Sequence, residues 1–255
     1  MAKLNDNKEI AINGFDFLKD LTEARVALGR AGTSLPTKAA LDFKLAHAKA
    51  RDAVYTSLAI NELINDLGSF GIPISHLRSQ AKDRAQYLQR PDLGRILHSE
   101  SAINTDHEGK NKDVVICIAD GLSSVAIEKN AYAVLKFLLP KLRNANLTLG
   151  TIFIISQGRV AIADHIGEIT QARLSLMFIG ERPGLSAADI MGIYLTYSPK
   201  SGLADNTRNC ISNIREGGLS ARLAAEKAFY LINEAFRRKL SGVELRDDYY
   251  DGLLS

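Results

Sequence analysis

The pattern of apolar and polar positions changes character twice along this chain. Up to residue 21, Ile10, Ile12, Phe15, Phe17 and Leu18 are scattered without a period, which predicts a flexible tail over 1–21 or a short docking helix. Thr33-Ser34-Leu35-Pro36 then reads as a helix start, with hydroxyl residues to cap and proline near the first turn. Leu41, Leu45, Ala48, Asp52, Tyr55 and Ala59 follow at steps of three or four, so a helix is predicted from about Pro36 to Leu58, with a second piece to Leu67. Beyond Gly68 and Gly71, the alternation of Ile72, Ile74 and Leu77 predicts a short strand. Gln80 to Leu88 is predicted helical, stopped before Pro91 and resumed over Leu93–Leu97. Ser99 to Lys112 is polar and reads as a loop.

From Asp113 onward, continuous apolar runs alternate with amphipathic segments. Val114–Ala119, Thr151–Ile155 and Leu174–Ile179 are rich in β-branched residues, as strands buried on both faces of a parallel sheet are. A fourth strand is predicted to end near Thr196, before Tyr197-Ser198-Pro199. Ser123–Leu139, Val160–Ile169 and Leu219–Leu240 read as the intervening and closing helices. The expected organisation is a tail over 1–21, a helical N-terminal region over 22–98, a polar loop over 99–112, an α/β domain over 113–248 and a second tail over 249–255. The fold class is α/β: a mostly parallel, twisted, doubly wound sheet of Rossmann-like type with helices on both faces.

Composition narrows the function classes. The 255 residues are 46% hydrophobic and 24% charged, a globular balance, and 32 basic against 29 acidic residues leave a net charge of +3. That charge is too weak to argue for nucleic acid without a concentrated basic face. Two cysteines, Cys117 and Cys210, neither build a disulfide framework nor have zinc-site spacing. No apolar run approaches a membrane span, and MAKLNDNKEI lacks a signal-peptide core, so a reducing cytoplasmic compartment is expected.

Open α/β sheets bind ligands beyond the carboxyl ends of their strands. This nominates Asp120–Ser123, Ser156–Val160, Gly180–Gly184, Ser198–Lys200 and the segment Arg208–Asn213, here expected to be a loop. Nucleotide fingerprints are missing: no GxGxxG follows a strand, and there is no P-loop, HExxH or GxSxG. Asp106-His107-Glu108 reads as a solvated loop rather than a metal triplet. Cys210 is either a nucleophile or a small packed group, and Glu181 beside Arg182 is either an acid/base or one end of a local ion pair.

Several ordered words carry a family resemblance. They include Thr22-Glu23-Ala24-Arg25-Val26-Ala27-Leu28-Gly29-Arg30-Ala31-Gly32, Leu45-Ala46-His47-Ala48-Lys49-Ala50-Arg51-Asp52-Ala53 and Tyr87-Leu88-Gln89-Arg90-Pro91-Asp92-Leu93-Gly94. Ala119-Asp120-Gly121-Leu122-Ser123, Gln157-Gly158-Arg159-Val160, Gly180-Glu181-Arg182-Pro183-Gly184-Leu185 and Cys210-Ile211-Ser212-Asn213-Ile214 continue them. From about Thr22 to Asp248 the chain resembles the small (light) subunit of ethanolamine ammonia-lyase. The resemblance implies a non-autonomous subunit of an adenosylcobalamin-dependent carbon–nitrogen lyase that converts ethanolamine to acetaldehyde and ammonia. It implies a larger TIM-barrel subunit that holds the substrate, with cobalamin at the hetero-oligomer interface and a bacterial microcompartment as a candidate location.

Carried over word by word, the cofactor-binding positions fall on Val160, Glu181 and Cys210, with no catalytic or metal-ligating residue on this chain. Asp120, Ser123, Arg159 and Arg182 are further candidates without direct carry-over. Some cobalamin enzymes supply a lower-ligand histidine from a D-x-H-x-x-G motif. Asp164-His165-Ile166-Gly167 has the wrong spacing, so the cofactor is expected to keep its own dimethylbenzimidazole base. The competing expectations are a stand-alone α/β enzyme or binding protein for a nucleotide-like cofactor, and a non-catalytic structural protein.

Overall fold

The computed structural model describes residues 14–22, 24–105 and 110–249. Phe15 and Phe17 are exposed beside a short 3-10 turn over Asp16–Asp20, while Ile10, Ile12 and the Asp106-His107-Glu108 triplet lie outside the described residues. The long N-terminal helix is α1 (Thr37–Tyr55), entered through Pro36, and α2 (Ile60–Gly68) follows as the second piece. After β1 (Ile74–Arg78) comes α3 (Arg84–Gln89), capped by Asp83, whose carboxylate accepts from the Gln86 N–H at 2.8 Å. The stretch expected to be only a loop opens as α4 (Ser99–Thr105), which Ser101 ties to β1 by accepting from the Arg78 N–H at 3.1 Å.

Then follow β2 (Val114–Ala119), α5 (Ser124–Asn144), β3 (Leu149–Ser156), α6 (Ile162–Thr170) and β4 (Leu174–Gly180). The chain closes with β5 (Met191–Tyr197), β6 (Asn209–Ile214) and α7 (Ala221–Arg238). Helix α5 runs past Leu139, the end expected from the sequence, and includes Pro140. That proline is exposed near the C-terminal end, and the added turn buries Leu142.

The six strands lie in the order β1-β3-β2-β4-β5-β6. The first four are parallel, and β5 and β6 are joined antiparallel, so the sheet is mixed rather than uniformly parallel. The reason is connection length. A parallel neighbour needs a crossover of a dozen or so residues, whereas only Glu181–Ile190 separates β4 from β5, and it folds as a hairpin loop. Two corrections follow. Tyr197-Ser198-Pro199 leaves the sheet at the edge opposite the other nominated loops. Arg208–Asn213 is not a loop, because β6 occupies Asn209–Ile214.

Both sheet faces carry apolar layers. On one, α2, α5 and α7 bury Leu67, Leu135, Leu138 and Ile232 against Ile116, Ile154, Leu176 and Phe178. On the other, α6 buries Ile162 and Ile166 against Cys117, Phe153 and Met177. Helix α6 packs on β2 and β4, whereas β5 is covered by α5 and α7, and β6 by α7, on the far side. On the α6 face, Cys210 and Ser212 of the edge strand are therefore exposed, and Tyr194 is half-buried. Among the described residues no helix is long and apolar enough to cross a membrane.

Candidate functional site

Chain order changes direction across the sheet at β2, which has β3 on one side and β4 on the other. Such a switch point ordinarily leaves a ligand crevice. Here the protein fills it. The Arg84 side chain enters from α3, its Nη1 donating to Gly121 O at 2.8 Å and to Gln157 Oε1 and Asp120 Oδ2 at 3.3 Å, while its Nε donates to Val54 O at 2.6 Å. Asp120 also accepts from the Gly158 N–H at 3.3 Å. Burial pushes the Asp120 carboxyl up to about 6, against the pull of Arg84 and the backbone donors.

A second arginine secures the same edge. The buried Tyr87 ring lies between the guanidinium groups of Arg84 and Arg159, at 4.9 and 4.3 Å from its centroid. Its hydroxyl donates to Gly158 O at 3.0 Å. The Gln157–Val160 loop is thus tied to its neighbours at Gln157, Gly158 and Arg159, whose N–H donates to Gly94 O at 2.8 Å. Ser123, buried at the N-cap of α5, donates to Ala188 O at 2.6 Å and so ties the helix start to the Glu181–Ile190 loop.

The open surface lies beside this packed switch point, on the uncovered half of the α6 face. A cleft of about 380 Å³ is bounded by Val160, Tyr194, Arg159, Arg95 and Arg208. A second of about 550 Å³, bounded by Ile96, His165 and Leu203 among others, adjoins it through the shared Arg95 and Ala161. Tyr194 donates its hydroxyl to Glu181 Oε1 at 2.9 Å. Cys210 is its register partner across β5–β6. Burial, the thiol and the carboxylate together push the Tyr194 phenol up. Burial also raises the Cys210 thiol, with the nearby Tyr194 hydroxyl opposing the effect and Glu181 adding to it. A thiol so placed stays protonated at neutral pH and is a poor nucleophile.

Val160, Glu181 and Cys210, spread over fifty residues of sequence, are thereby gathered around one side chain. Val160 borders the same cleft as Tyr194, Glu181 accepts from its hydroxyl, and Cys210 faces it across the β5–β6 pairing. Asp120 and Ser123 are absorbed into the fold, Arg159 serves both the clamp and the cleft, and Arg182 is exposed on the hairpin loop. Asp164 is committed to a buried ion pair with Arg208, and His165 Nδ1 accepts from the Leu97 N–H at 3.4 Å beside the second cleft. Tyr194, Arg84 and Tyr87 were not singled out from the sequence. In MGIYLTY a tyrosine reads as ordinary strand alternation, and the partners that give it meaning lie on other elements.

Relatives resolve what this geometry alone leaves general. The family model described as ethanolamine ammonia-lyase light chain matches residues 12–246. An ethanolamine ammonia-lyase small subunit from Azotobacter vinelandii is 48% identical over 250 residues, spanning 96% of this chain and 92% of its own length. Small subunits from Pseudomonas putida and Xanthomonas campestris pv. campestris are 49% and 50% identical over 235 residues, each covering 91% of this chain and 86% of their own. The chain belongs to the ethanolamine ammonia-lyase small (light) subunit family.

Proposed function

We propose that this chain is the cofactor-gripping subunit of an adenosylcobalamin-dependent ethanolamine ammonia-lyase, working with a larger subunit that holds ethanolamine. The observation that carries the reading is the convergence of Val160, Glu181 and Cys210 around Tyr194 on an exposed shelf of sheet. The residues present fit a broad, amide-rimmed macrocycle. The shelf is open rather than a closed pocket, Val160 gives it an apolar element, and Glu181 offers a carboxylate acceptor to amide N–H donors. Cys210 contributes a small neutral group at the rim.

When bound, the cofactor supplies the radical chemistry that turns ethanolamine into acetaldehyde and ammonia. The role of this chain is to bind and orient. The Arg84–Tyr87–Arg159 clamp keeps the Val160 loop rigid, Glu181 fixes one edge of the ligand, and no side chain here takes part in bond-making. Exposed Leu41, Phe43 and Leu45 on α1, a helix that buries only Ala53, leave apolar surface for the larger subunit to cover. A stand-alone enzyme at the switch point has no comparable support, since Arg84 fills that crevice. The cytoplasmic location, with a microcompartment as its candidate site, belongs to the same proposal.

The test is turnover. The purified chain with adenosylcobalamin and ethanolamine should form no acetaldehyde, and addition of the larger subunit should restore the reaction. Turnover by this chain alone would overturn the division of labour.

A further inference from the structure

The Glu181 carboxylate is held in place by two features of β5 that neither its sequence position nor the family words announce. The first is Gly192. A Cβ built at this glycine would overlap Glu181 Oε1, so the carboxylate in its present place lies against bare backbone and would have to move if position 192 carried a side chain. The second is Tyr194, two residues along the same strand and therefore on the same face, whose hydroxyl donates to that same Oε1 at 2.9 Å. The phenol has one proton, and it goes to Glu181. Among the described residues nothing donates to the second carboxylate oxygen, Oε2. The Glu181 backbone is fixed as well, its N–H donating to Ile190 O at 2.9 Å.

We propose that Tyr194 and Gly192 are positioning residues that pre-orient Glu181 so that its free oxygen receives an amide N–H of the bound cobalamin. This rests on the assignment of Glu181 as a cofactor contact. A carboxylate on a flexible side chain loses rotamer freedom when it binds a ligand, and prior fixation by a neighbouring hydroxyl and a Cβ-free floor removes much of that loss. The effect belongs to cofactor affinity and not to the rate once the cofactor is bound.

The test is a double-mutant cycle read by spectrophotometric titration of adenosylcobalamin into the two-subunit complex. Tyr194→Phe keeps the ring and removes the hydroxyl, and should weaken binding about three- to tenfold. Gly192→Ala should displace the carboxylate and approach the loss seen for Glu181→Ala. The decisive readout is coupling. In a Glu181→Ala background, Tyr194→Phe should have almost no further effect, because there is no carboxylate left to orient. A merely structural role would weaken binding equally in both backgrounds, and additive losses overturn the proposal. Unchanged affinity in Tyr194→Phe overturns it too, while leaving Glu181 as a contact. If Glu181→Ala itself binds normally, or the parent complex takes up no cofactor, the underlying assignment falls and this inference falls with it.

Discussion

Asp120 stands where an α/β sheet of this kind usually receives its ligand, and its chemistry is turned inward. The carboxyl is buried beneath Arg84 and titrates near 6 instead of 3.8. The native state therefore holds this proton more tightly than the unfolded chain does. The associated stability is fully present below about pH 4 and is lost as pH rises through about 6, by about 3 kcal/mol in all. Asp120→Asn keeps the shape and the acceptor for the Gly158 N–H but cannot ionise. Its stability relative to the parent chain should rise between pH 4 and 6 by up to that amount, as read from urea denaturation at a series of pH values. Parallel curves for the two proteins would show that Asp120 does not titrate in this window. The sequence word Ala119-Asp120-Gly121-Leu122-Ser123 nominated this position as a ligand-site candidate. It could not reveal that the partner is Arg84, thirty-six residues away on another element, which makes this aspartate a scaffold group.

At the scale of elements, β2, β3, β4 and the helices between them were legible, because each is a long apolar run or a strongly periodic segment. The direction of β5 and the existence of β6 were not. Strand Asn209–Ile214 buries only Ile211 and Ile214, so its sequence is too polar to stand out, and direction is set by connection length rather than by residue type. That misplacement mattered, since it put Cys210 in a loop when it sits on an edge strand opposite Tyr194. Element junctions also carry much of the site's rigidity. A Cβ at Gly180 would overlap the Ser123 carbonyl, so the end of β4 and the start of α5 fit only with glycine there. Ser123 itself caps α5 by accepting from the Ala126 N–H at 3.3 Å and holds the hairpin loop through Ala188. Ser123→Ala loses both roles and should destabilise the chain by about 1–2 kcal/mol in thermal or chemical unfolding. An unchanged midpoint would mean that the cap and the loop tie contribute nothing.

On the scale of the whole molecule, the sheet divides its labour. One half is closed on both faces and packed around Arg84, Tyr87 and Asp120. The other half keeps one face open, and there Val160, Glu181 and Cys210 come together. The sheet-edge rule nominated the segments that carry them, and the family words picked out the three residues. Nothing in the spacing of positions 160, 181 and 210 brings them into one place, and it takes the β4–β5 hairpin and the β5–β6 pairing to do so. Exposed apolar residues on α1 fit the proposal that a larger subunit covers this helix.

The most direct measurement is the affinity of the assembled two-subunit complex for adenosylcobalamin, compared between the parent chain and variants on this shelf. Removing the carboxylate in Glu181→Ala should weaken binding by about one to two decades, as expected for a partly buried charged acceptor, with turnover at saturating cofactor retained. Cys210→Ser, nearly equal in volume, should change affinity less, and Cys210→Trp, which intrudes on the shelf, should change it more. The account is contradicted if all three variants bind the cofactor as the parent does, or if Cys210→Ser abolishes turnover in a complex that still assembles and binds normally.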